Sequence, residues 1–172
     1  MTSRWGREKE GFVMAKAGYK VGTSSAVPLV AATAKTALMV ICPAQFGIDL
    51  KKLSISFDGV TASAIPVLCE VVSSTNASNS TPGTANTSES ANIQQIYGRS
   101  ITTGFTAFSA STSEPTVLTR LWSFNLTPTG GSLFYDFPLG DTFDTAVSSG
   151  IGIRLTAPAS VNAICSLTFE RC

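Results

Sequence analysis

Asp136, Asp141 and Asp144 form the only acidic cluster of the sequence, and carboxylates close together are the first candidates for chemistry. A pair of them can act as general acid and general base on a glycoside, and with backbone carbonyls they can hold Ca²⁺. Their spacing matches no EF-hand loop, which favours solvated turn residues. The chain has no histidine, so no serine or cysteine has an imidazole to take its proton, and no Ser-Lys or carboxylate alternative has a placeable partner. Cys42, Cys69, Cys165 and Cys172 lack CxxC spacing, which argues against zinc sites of the Cys/His kind. Gly130-Gly131 and Gly150-Ile151-Gly152 lack the phosphate-loop patterns and open no helix, so they read as turn glycines. Tyr97, Trp122 and Tyr135 can stack on a sugar in a lectin-like site, but Trp122 lies in an alternating strand, where burial is the commoner fate. Asn76, Asn79, Asn86 and Asn125 open glycosylation sequons of the sort that an Asn/Ser/Thr-rich tract produces by chance. These residues predict a protein that is not an enzyme and that uses no cofactor and no metal.

The elements that carry these residues are strands. Val161, Ala163, Cys165, Leu167 and Phe169 fall on one face of a period-two pattern, and Gly150 to Thr156 precedes them across Ala157-Pro158-Ala159-Ser160, which predicts two strands joined by a tight turn. Leu53, Ile55 and Phe57, then Ile65, Val67, Cys69 and Val71, predict a hairpin around Asp58-Gly59. Lys35 to Cys42 is a nearly continuous apolar run, which suits a strand buried on both faces or packed beneath the N-terminal leader. Trp122 and Phe124 are expected in the core. Residues 73–92 contain no large apolar side chain and predict an exposed loop that contributes little to the fold. Cys69 and Cys165 fall on inward faces as buried free thiols, with Cys172 accessible. With seven or eight short strands and no long helical period, the predicted class is all-β: an antiparallel β-sandwich or jelly roll over residues 29–172, with an extended N-terminal arm over residues 1–28.

Composition sets the partner class. At 172 residues the chain suits one domain. Charged residues make up 13 %, against roughly 25 % in an average soluble domain, so subunit contacts are expected to cover part of the surface. The net charge of +1 gives no reason to expect nucleic-acid binding, and no apolar run is long enough for a membrane helix. The first twenty residues carry a local excess of positive charge and lack the apolar stretch of a signal peptide, which predicts a reducing folding compartment. Arg4, Trp5, Arg7, Phe12, Tyr19 and Lys20 are the candidate partner-binding residues, since the arm combines cations with anchor-type aromatics.

The run Pro43 to Leu50 followed by Leu53 to Val60 and Ile65-Pro66-Val67, with Phe137-Pro138-Leu139-Gly140, Arg154 to Pro158 and Val161-Asn162-Ala163, resembles small virion structural proteins of tailed bacteriophages. The resemblance spans roughly residues 29 to 170 and carries over no functional residue. It implies a decoration (cement) protein of the capsid, a homo-oligomer whose partners are the major capsid protein or neighbouring virion subunits, assembled in the host cytoplasm. Minor-tail, collar, and receptor- or carbohydrate-binding roles are the alternatives it leaves open.

Overall fold

A computed structural model describes residues 17–58, 65–75, 86–98, 100 and 103–172. The strands run in chain order β1 (Gly18–Gly22), β2 (Val27–Leu29), β3 (Ala34–Ile41), β4 (Ile48–Phe57), β5 (Val67–Ser74), β6 (Thr87–Ser88), β7 (Gln94–Tyr97), β8 (Thr106–Ser109), β9 (Thr119–Leu126), β10 (Ser132–Asp136), β11 (Phe143–Thr145), β12 (Gly150–Thr156) and β13 (Val161–Arg171). They form two antiparallel sheets. Sheet A has the order β10-β4-β13-β1-β7, with β11 also on β4 and β2 on β13, and sheet B has the order β6-β8-β3-β12-β5-β9. The sheets pack face to face as a β-sandwich, which agrees with the class expected from the sequence.

Alternation explains the packing. Tyr19, Val21, Leu53, Ile55, Cys165, Leu167 and Phe169 of sheet A meet Leu38, Val40, Cys69, Val71, Ile151, Ile153 and Leu155 of sheet B in one core, all essentially inaccessible. Each large side chain buried in this way contributes about 1.5–3 kcal/mol. Phe105 is a hub at one end, with ring centroids 5.4 Å from Tyr19, 5.2 Å from Phe46 and 5.0 Å from Phe169.

Four expectations are corrected. The domain does not begin after residue 28: β1 lies inside the predicted arm and β2 begins in it, and β1 sits between β13 and β7 within sheet A. Glycines at both ends of Gly18-Tyr19-Lys20-Val21-Gly22 hide its strand character, and at Gly18 the Tyr97 ring takes the space of a Cβ, 2.2 Å away. Neither predicted hairpin forms, because β4 and β13 belong to sheet A while β5 and β12 belong to sheet B. Their connections are corners between sheets. The stretch 73–92 is not all loop: Ser73 and Ser74 end β5, β6 pairs with β8, and Glu89 is fully buried. Residues 76–85 of that stretch lie outside the described residues. Trp122 and Phe124 are half-buried at a sandwich edge, where only one side of each ring has a sheet to pack on.

Candidate functional site

The predicted partner-binding residues divide. Arg4, Trp5, Arg7 and Phe12 lie outside the described residues. Tyr19 cannot be an external anchor, since it is the largest wholly buried side chain and its ring packs on Phe105 and Phe169. Lys20 follows it with the opposite orientation and is exposed on the outer face of sheet A.

The predicted aromatic platform also divides. Trp122 and Tyr135 do meet, with centroids 4.9 Å apart, and Phe124, Phe137 and Phe143 extend the contact into a line of edge-on and tilted rings. This line closes the sandwich where β9 ends sheet B and β10 ends sheet A. Tyr97 is on β7, at the other end of sheet A, where its hydroxyl donates to Glu170. Among the carboxylates, Asp136 pairs with exposed Lys52 at 2.7 Å, and Asp141 closes a turn by donating its N–H to the Pro138 carbonyl at 3.0 Å. Asp144 borders a hydroxyl-lined hollow of about 260 Å³ with Ser73, Ser74, Thr75, Thr145, Ala146 and Ser149. Among the described residues no group of three His, Cys, Asp or Glu side chains forms a metal site.

Sequence reasoning missed the buried charges. Glu70, 1 % exposed on the outer face of sheet B, accepts from Arg154 at 2.7 Å and also pairs with Arg120. Burial opposes its charge, but the two guanidinium groups outweigh that and hold its carboxyl below the ordinary range. Glu89 accepts from the backbone N–H and hydroxyl of Ser24, both at 2.9 Å, from Ser109 at 2.5 Å and from Asn92 at 2.6 Å. Burial again opposes ionisation, and these donors prevail to lower its pKa. Glu89 thereby ties the turn after β1 to β8. The only sequence signal for either was an acidic residue beside inward-facing apolar or small positions.

Burial favours the neutral form of three thiols. Burial pushes Cys42 up to about 11, with Thr145 Oγ1 at 3.1 Å partly opposing it, and pushes Cys69 up to about 12. Cys165 is raised by complete burial, while Cys172 is exposed. All four are free.

The open surface is the outer face of sheet A. Ser54 and Ser166 share a hydrogen bond of 2.6 Å at its centre, Lys20, Lys52 and Thr168 share a cross-strand row, and two large apolar side chains stand among these small and polar ones. Phe134, opposite Ser54, is 84 % exposed, and Ile164, opposite Ser56, is 51 % exposed. Leu139, just beyond β10, is 96 % exposed. No family model, curated protein or solved structure matches the chain.

Proposed function

We propose that this protein is a non-enzymatic structural subunit of a phage virion, a decoration protein that binds the major-capsid lattice and reinforces it as part of a symmetric oligomer. The observation that carries this reading is the outer face of sheet A, where Phe134 and Ile164 are left in solvent, with Leu139 exposed just beyond β10, by a chain with only 13 % charged residues. Isolated exposed apolar residues are ordinary, but a hydroxyl-rich sheet face with a phenylalanine at its edge suits packing against another ordered surface. Many weak contacts repeated over a lattice add through multivalency, so no single one has to be strong. The resemblance to tailed-phage virion proteins supplies the partner class. In this reading, the cations and aromatics of residues 1–16 add a second contact to neighbouring subunits.

The deciding experiment is to mix the purified protein with phage capsids that lack it and to measure copies bound per particle. Hundreds per particle support decoration. A handful at one vertex or on a tail replaces this reading with a tail, collar or receptor-binding role, and absence of binding removes the decoration reading.

A further inference from the structure

The free edge of β10 has the geometry for antiparallel pairing with its own copy. Against β4, the Gly131 carbonyl accepts from the Phe57 N–H at 3.4 Å, and the Phe137 N–H donates to the Lys51 carbonyl at 2.9 Å. Between these two bonds Leu133 faces Ile55 and Tyr135 faces Leu53 without a register shift. Bonded and non-bonded pairs alternate in an antiparallel ladder, so residues 131, 133, 135 and 137 use their backbone groups on β4. Ser132, Phe134 and Asp136 therefore direct theirs away from it. β10 ends sheet A, and among the described residues no strand pairs with that side.

Natural sheet edges are commonly blunted by a lysine, a proline or a bulge, because an open row of N–H and C=O groups recruits another strand. β10 has neither lysine nor proline, pairs with β4 without a bulge, and carries Phe134 at its middle position. We infer that β10 pairs with β10 of a second copy about a two-fold axis at Phe134, joining two A sheets into one continuous sheet. Ser132 then faces the partner's Asp136, and Phe134 faces the partner's Phe134. Each of the three pairs places outward N–H and C=O groups in register. On the inner side, Leu133 falls opposite the partner's Tyr135, which extends the apolar layer across the junction and covers the half-buried aromatic line. On the outer side the two Phe134 rings lie side by side and leave water together.

The register is selected. Sliding the strands toward their C-terminal ends sets the two Asp136 carboxylates against each other or brings in Pro138, which has no N–H to offer. Sliding the other way runs into the turn at Gly130-Gly131, where a Cβ on Gly131 would lie 1.8 Å from the Thr127 carbonyl oxygen. An isologous pairing of this kind closes on itself and does not propagate.

The inference rests on the assembly reading only for its expectation of identical subunits, and its test needs no capsid. Cys172→Ser removes the exposed native thiol, and Phe134→Cys or Leu139→Cys is added to that background. Under oxidised glutathione, Cys at position 134 should crosslink to its twin as the major product, since hydrogen-bonded antiparallel pairs hold their Cα atoms about 5.5 Å apart, inside disulfide range. Cys at position 139, equally exposed but displaced along the strand from the axis, should not. Sedimentation of the otherwise native chain should show a reversible dimer, which Phe134→Pro abolishes while the far-ultraviolet spectrum is retained, because β4 does not use that N–H. A monomer at all concentrations, equal crosslinking at 134 and 139, or a dimer untouched by Phe134→Pro would overturn the inference. A monomer that still decorates capsids leaves the virion reading standing, and a dimer that binds none leaves only this inference.

Discussion

The outer faces of the two sheets are built alike and finished differently. Sheet B presents Met39, Ile41 and Val72 outward, and the chain between β8 and β9 crosses over them from one edge of the sheet to the other. That crossing brings Leu118 onto the apolar cluster beside Phe108 of β8 and sets Glu114 to accept from the Thr36 N–H at 2.6 Å and its hydroxyl at 2.8 Å. Beneath it Glu70 and Arg154 pair with little access to water. Sheet A carries Ser54, Ser166, Lys52 and Thr168 in the equivalent positions, and among the described residues no segment of the chain crosses it. One face is a second core completed by the chain itself, while the other stays open to solvent among the described residues. Apolar residues and an internal ion pair mark the first, and small hydroxyls with a few stranded apolar side chains mark the second.

The contrast predicts where the molecule breaks. The largest effect comes from removing a strand of sheet A. Deleting residues 1–22 takes away fully buried Tyr19 and Val21 and separates β13 from β7, so cooperative thermal unfolding by circular dichroism should be lost. A chain beginning at Ala17 should keep its transition, and equal behaviour of the two truncations would refute the placement of β1.

On the covered face, Met39→Ala should cost roughly 2–5 kcal/mol in urea unfolding, the range for emptying a core site. Ile164→Ala, on the open face, should stay within about 0.5 kcal/mol. Similar losses at the two positions would mean that the faces are not distinct. Glu70→Gln leaves Arg154 without its carboxylate, and removing one member of a buried pair costs roughly 3–5 kcal/mol; the partial exposure of Arg154 and Arg120 places this case at or below the lower end. Asp136→Asn breaks the exposed pair with Lys52 and should change stability by less than about 1 kcal/mol.

Acid should destabilise the fold through Glu70 on the covered face and Glu89 between the turn after β1 and β8. Glu70 and Glu89 are held below the ordinary 4.5 in the folded chain, so protons bind the unfolded chain more readily. Their contribution is complete above that value and is lost as pH falls through the lowered folded values. A urea midpoint that is flat between pH 5 and 7 and then falls toward pH 3, with a smaller fall in Glu70→Gln, is the expected result. The smallest perturbation is chemical: thiol reagents should modify Cys172 in the native protein and reach Cys42, Cys69 and Cys165 only on unfolding. Rapid native modification of more than one thiol would contradict the burial of the other three.

Much of this was legible in the residues. Alternation alone set which side chains of β4, β5, β12 and β13 face inward, because successive strand residues point to opposite faces whatever the strand pairs with. It placed Cys69 and Cys165 in the core, and it gave an all-β chain. Pairing is a different quantity. A strand turned by Asp58-Gly59 or Ala157-Pro158 can fold back in its own sheet or cross to the facing one with the same inward residues, and only the packing of two whole sheets chose the crossing. Tyr19 suits an anchor because aromatic residues fit interfaces and cores equally, and nothing local in its segment tells the two apart. Glu70 and Glu89 are acidic residues whose burial depends on donors 84, 65 and 20 residues away, which no local pattern carries. Local sequence determined strand, face and composition, since these follow from one chain's own stereochemistry. Sheet membership, the covering of sheet B and the openness of the β10 edge were decided by contacts between distant segments, which exist only once the tertiary structure brings them together.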